Sequence, residues 1–129
     1  MRAVTFDRYG PPGVLRLAEI PQPVPRGNEI ALRVRACEVT KGDCEIRRGR
    51  FAASWIDPLM RLALGVVRPR RHVLGGYLSG TVVARGSRVT GFVTGDVFYG
   101  CSCLRFGGYG EVVCLPEDAA LVPKPAHHT

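Results

Sequence analysis

The sequence predicts a mainly β domain, a closed or partly open barrel with one or two short helices. Three observations carry that expectation. Stretches with the two-residue hydrophobic period of strands recur along the chain. Turn residues, drawn from 16 Gly and 10 Pro, punctuate them about every eight to twelve positions. The 129 residues, 46% of them apolar, suffice for one domain and one modest core.

Residues 2–6 alternate and read as a first strand, and Tyr9-Gly10-Pro11-Pro12-Gly13 is a turn. Val14–Ile20 resumes a strand, ended by Pro21, Pro23 and Pro25, which lack amide donors and fix φ. Arg26-Gly27-Asn28 turns the chain into the clearest strand, Glu29–Val39. There Ile30, Leu32, Val34 and Ala36 share one face, and Ala31, Arg33 and Arg35 the other. A slip of one residue would bury Arg33 and Arg35, so the register is well specified. Thr40-Lys41-Gly42-Asp43 leads into a short helix. Asp43 is expected to be its N-cap, Glu45 to lie in the first turn, Arg47 and Arg48 near the end, and Gly49 to stop it. A longer helix is expected over 54–66, capped by Asp57 with Pro58 at its first position. It is apolar round much of its circumference, which suits a helix pressed into the core or over a cleft. Strands follow at Leu78–Arg85, Val97–Tyr99, Tyr109–Leu115 and Ala119–Val122, with turns at Gly86-Ser87, Val93–Asp96, Gly107-Gly108 and Pro116–Asp118.

The formal net charge is +7, with arginine clusters at Arg47, Arg48 and Arg50 and at Arg68, Arg70 and Arg71 beside His72. Such a surface can attract nucleic acid, anionic lipid or a phosphorylated cofactor. A solvated face is the simpler reading, and no aromatic stacking pattern argues for nucleic acid. The N-terminus lacks the apolar stretch of a signal peptide. The best apolar run, Ile56–Val67, is broken by Asp57, Pro58 and Arg61 and falls short of the roughly 20 residues of a membrane span. A cytoplasmic protein with no membrane partner is expected. Five cysteines, odd in number and without framework spacing, suit reduced thiols. Cys37, Cys44, Cys101, Cys103 and Cys114 are expected to be inert and buried or half-buried.

The order and spacing of several pieces are distinctive: Met1-Arg2-Ala3-Val4 with Asp7–Pro12, Val34-Arg35-Ala36, Gly42-Asp43, Arg47-Arg48-Gly49, Val73-Leu74-Gly75, Gly80–Val83, Gly95–Phe98, Gly107–Glu111 and Pro123-Lys124-Pro125. Together they resemble the N-terminal GroES-like domain of the medium-chain dehydrogenase/reductase superfamily. The resemblance is strongest to the zinc-independent branch, similar to quinone oxidoreductases and NAD(P)-dependent alcohol dehydrogenases. It runs from Met1 to about Ala126, giving a domain at 1–126 and a tail at 127–129. It implies a GroES-like, partly open β-barrel that lines an active-site cleft, completed by a Rossmann domain that holds NAD(P)H. It implies hydride transfer to activated carbonyls, enones or quinones.

No dinucleotide fingerprint is completed here. Gly107–Gly110 lacks a following Lys-Ser/Thr and a helix, and Gly75–Gly80 runs into a strand. The chain is therefore expected to be the catalytic-domain portion of an oxidoreductase, shortened by gene truncation, frameshift or choice of boundaries, and inactive alone. The alternative is a non-enzymatic binding module whose basic face pairs with another chain, such as a separate Rossmann domain, or with an anionic partner. An uncovered cleft would favour self-association.

In zinc-dependent relatives a Cys-His pair and a Gly-His-Glu stand where this chain has Thr40-Lys41 and Gly76-Tyr77. These supply no tetrahedral donor set, and the spacing of Cys101-Ser102-Cys103 is not that of a zinc knuckle, so no zinc is expected. The resemblance makes Thr40, Lys41, Asp43 and Tyr77 the cofactor-side positions, and no catalytic residue is assigned. Thr40 and Asp43 align with an Asn-Pro-x-Asp segment; Thr40 keeps a hydroxyl but loses the amide's reach, and otherwise reads as a turn residue. Asp43 reads as a helix cap rather than a catalytic acid, and Lys41 as a phosphate contact or a solvated cation. Tyr77 replaces an acidic residue; with the ordinary phenol pKa near 10, it would be a slow proton donor.

Overall fold

The computed structural model describes residues 1–51, 53–125 and 127. The expected domain end at Ala126, and His128 and Thr129 of the expected tail, lie outside the described residues. The strands are β1 (Arg2–Thr5), β2 (Arg16–Glu19), β3 (Glu29–Cys37), β4 (Tyr77–Arg85), β5 (Val97–Cys101), β6 (Val112–Pro116) and β7 (Ala120–Pro123). Helices α1 (Lys41–Arg48) and α2 (Asp57–Leu64) lie between β3 and β4. The larger sheet has the order β6-β3-β4-β5-β7, and β1-β2 forms a two-stranded ribbon. Its ladder ends at β6 and β7, so the mainly β barrel is open. Every strand pair is antiparallel, so the described residues contain no parallel β-α-β unit of the Rossmann kind. The ribbon is fastened to the sheet through an Ala3–Gly110 bridge and a forked contact, in which Arg2 Nε and Nη2 donate to Glu111 Oε1 at 3.0 and 2.9 Å. Among the described residues no helix is long and apolar enough to cross a membrane.

β3 is central and departs from simple alternation. Ala31 is as buried as Ile30 and Leu32, whereas Ala36 is exposed. Register shifts against β4 at Ala31/Leu32 and Val34/Ala36 account for the later change. Arg35 is the extra residue of the second bulge, and beyond it Cys37 rather than Ala36 packs beside Val34 on the core. Covering both faces of the first half buries Ala31. Ile30, Leu32, Val82 and Leu115 form the dry centre with Phe92 and Phe98. A second cluster of Phe6, Val14, Leu64, Leu74 and Phe106 sits where the ribbon and α2 meet.

Several local expectations are corrected. β2 starts at Arg16 because Pro12–Val14 wind into a single tight turn, and β6 starts at Val112 because Tyr109 donates its amide to Leu74 O at 3.0 Å. Thr40, not Asp43, is the N-cap of α1, and Gly49 stops the helix at φ +69° as expected. Asp57 does not cap α2; it lies inside the first turn and accepts the Phe51 amide at 2.9 Å. Arg47 leaves the expected solvated cluster, being 5% exposed with its guanidinium donating to Gly10 O. Cys103 is exposed; the other four cysteines are half-buried.

Two of those thiols make the fold sensitive to base. Burial, then the Asp43 and Glu38 carboxylates, push Cys37 up from 9.0 to about 11; burial, then Glu29, does the same for Cys114. The unfolded chain therefore gives up these protons first as pH rises. Their stabilising effect is complete below about pH 9 and is lost through about pH 11. Melting temperatures measured across that window should fall more steeply for the parent than for a Cys37→Ala/Cys114→Ala variant; equal slopes would remove the assignment.

Candidate functional site

Two of the residues singled out by sequence, Thr40 and Asp43, meet where β3 ends and α1 begins. Thr40 has extended backbone, and its hydroxyl oxygen accepts the Asp43 amide at 3.2 Å. In return Asp43 Oδ2 accepts from the Thr40 amide at 3.0 Å and from its hydroxyl at 2.8 Å. This is a capping box with Asp at its third position, and it satisfies donors that the helix itself leaves open. Asp43 Oδ1 accepts the Gly75 amide at 3.1 Å. The carboxylate, 4% exposed, thus ties the start of α1 to the segment entering β4. Its oxygens are occupied by structural donors, which suits a fixed post rather than a proton shuttle.

Around this post the backbone is tightly drawn. Gly75 has φ +95°, and it and Gly108 lie against the Cys37 thiol. Tyr109 rises beside them. Burial first, and the Asp43 carboxylate next, push its phenol well above the ordinary 10.0, so it stays protonated in the neutral range.

Two clefts flank the corner. One, of about 360 Å³, lies between the sheets and is lined by Val34, Cys37, Gly108 and Tyr109. The other, of about 460 Å³, is lined by Cys37, Glu38, Tyr77, Ser79 and Tyr99. Through Ala36, Ser79 and Tyr99 it continues into a broader groove of about 780 Å³ that passes Arg35, Thr81 and Lys124. Tyr77 and Tyr99 are 53% and 46% exposed and stand on one face of neighbouring strands, Ser79 pairing with Tyr99. Their rings can enclose a flat, apolar ligand.

Of the four cofactor-side positions, Thr40 and Asp43 are bonded to each other, and Tyr77 lines the cleft two residues beyond Gly75. Lys41 is set apart: its ammonium lies 3.7 Å from Glu45 and the side chain is 82% exposed. Sequence reasoning missed Tyr99 and Tyr109. Tyr109 was legible only as the one bulky residue in a glycine-rich turn, and Tyr99 depends on its register with Ser79. Among the described residues no group of three or more His, Cys, Asp or Glu side chains is arranged to hold a metal ion.

Residues 26–126 match a family model described as alcohol dehydrogenase GroES-like domain. Quinone oxidoreductase of Mus musculus is 28% identical over 126 residues, covering 97% of this chain and 34% of that protein. An NAD-dependent alcohol dehydrogenase of Sulfurisphaera tokodaii is 31% identical over 97 residues, covering 75% of this chain and 26% of that protein. The structure of the quinone oxidoreductase from Coxiella burnetii superposes with a TM-score of 0.80 at 29% identity, over 100% of this chain and 38% of that one. The chain spans about a third of the length of the quinone oxidoreductases it matches.

Proposed function

The chain belongs to the alcohol dehydrogenase GroES-like domain family, beside its zinc-independent, quinone-oxidoreductase-like branch, and from that premise we propose that it forms the substrate-side wall of an NAD(P)H-dependent reductase of quinones, enones or activated carbonyls. The observation that carries this reading is the cleft flanked by Tyr77 and Tyr99, abutting a corner fixed by Thr40, Asp43 and Gly75. The described residues suit the ring end of such a cofactor, because every strand pair is antiparallel and the one strand-to-helix step, β3 to α1, has no glycine-rich turn to receive a pyrophosphate. The dinucleotide, when bound, supplies the hydride.

The chain's own residues position and shield. Asp43 holds the helix start rigid, and the Thr40 hydroxyl, which donates to Asp43 Oδ2 and accepts the Asp43 amide, is fixed with it. Tyr77 and Tyr99 flank a flat substrate and shield it from water, while Lys41, paired with Glu45 and exposed, stays a solvated cation. Residues 1–126 exchanged for the matching segment of mouse quinone oxidoreductase should restore quinone turnover with NADH or NADPH, whereas the 129-residue chain alone should show none. Tyr77→Ala in that chimera should raise KM about tenfold, since the ring makes a uniform binding contact. A folded chimera that binds the dinucleotide yet reduces no quinone, enone or carbonyl defeats the reading.

A further inference from the structure

α2 wears its amphipathicity inside out. Its two charged residues turn inward: Asp57 accepts the Phe51 amide at 2.9 Å, and Arg61 donates to Gly49 O at 3.1 Å while lying over the Tyr9 ring at 5.4 Å. Met60 and Leu64 face the second core cluster. What remains for solvent is wholly apolar: Pro58, Leu59, Leu62 and Ala63. Trp55 precedes this face, and Val66 and Val67 extend it; the large side chains of the set are 57% to 82% exposed. A contiguous apolar surface of this kind on a folded domain marks a contact.

The rim identifies the contact. Arg48 and Arg50 lie exposed on one side, where Arg61 binds the intervening Gly49. Arg68, Arg70 and Arg71 lie exposed on the other, folded back by the Arg70 amide on Leu64 O at 2.7 Å. Between Glu45 and Asp96 the sequence has nine arginines and a single carboxylate, the inward-facing Asp57. We propose that this face of α2 docks on an anionic bilayer surface, with Trp55, Leu59, Leu62, Val66 and Val67 entering the headgroup–acyl boundary and the arginine rim meeting phosphate and carboxylate headgroups. Apolar side chains with a tryptophan at the edge and long cations around them match that boundary layer. A second copy of the chain fits poorly, because a two-fold contact would set the arginine rim against itself. The proposal is independent of the nicotinamide reading, since it uses none of the cleft residues.

The test uses the full chain and vesicles of phosphatidylcholine, with or without phosphatidylserine. Trp55 is the only tryptophan, so its emission reports on the face directly. At low salt the chain should sediment with the phosphatidylserine vesicles only, with blue-shifted emission quenched by brominated acyl chains. Leu59→Gln/Leu62→Gln and Arg68→Gln/Arg70→Gln/Arg71→Gln change exposed side chains, keep the fold by circular dichroism, and should each weaken partition at least about tenfold. Unshifted Trp55 emission overturns the proposal. So does binding that the leucine variant leaves intact, which would mean simple polyanion attraction. Lipid-free dimers abolished by the leucine variant also overturn it, assigning the face to another protein surface.

Discussion

Gly75→Ala is expected to destabilise the domain by about 4 kcal/mol, combining about 1–2 kcal/mol for an L-residue in left-handed backbone with the cost of overpacking. The backbone there has φ +95°, and a methyl group would stand 2.7 Å from Cys37 Sγ, 2.8 Å from the Tyr109 ring and 2.9 Å from Gly108 Cα. The neighbours cannot easily yield, because Gly108 Cα is main chain and the Gly108 amide donates to Gly75 O at 3.0 Å. Melting temperature should fall by roughly 15 °C for a domain of this size. Gly76→Ala is the internal control, since its nearest foreign atom, Cys103 O, lies 3.9 Å from the added carbon. Similar losses at both positions would show that the strain sits elsewhere.

Removing the Asp43 carboxylate should cost nearly as much. Asp43→Ala leaves the Thr40 amide, the Thr40 hydroxyl and the Gly75 amide without their acceptor in a corner that water enters poorly. Losing a cap and stranding buried donors together predict about 3 kcal/mol, read from denaturant midpoints at constant slope. The variant has a second signature. Because the Asp43 charge helps hold the Tyr109 phenol above its ordinary range, its removal should shift one tyrosine ionisation toward lower pH in an ultraviolet titration. Asp43→Asn should lie between parent and alanine variant, keeping one acceptor oxygen. Unchanged stability in the alanine variant would demote the carboxylate from structural post to bystander.

The strand plan was largely legible because strands announce themselves through alternation, and each of the expected strands exists. What escaped was information that belongs to a partner segment. The bulges in β3 arise from its pairing with β4, so no inspection of residues 29–39 alone would move Ala36 to the outside or Cys37 to the core. The capping residue of α1 was misplaced by three positions: Thr40 and Asp43 are both good caps, and the reciprocal bonds between them decide which one leads. Arg47 read as surface charge because its acceptor, Gly10 O, is remote in sequence. Similarly, Thr40 and Asp43 stood out as a pair, but the meeting of Tyr77 and Tyr99 depends on the β4–β5 register, and the place of Tyr109 in the other cleft on the turn bonded to Leu74.

The last strand carries one further consequence. β7 is an edge strand, and the Lys124 amide points inward to Val97 O at 2.9 Å. Amides alternate along an extended chain, so positions 123 and 125 point outward, and both are proline. An incoming polypeptide therefore finds no donor at two successive outward positions. The exposed margin of an open barrel is thereby made a poor template for edge-to-edge pairing along this side.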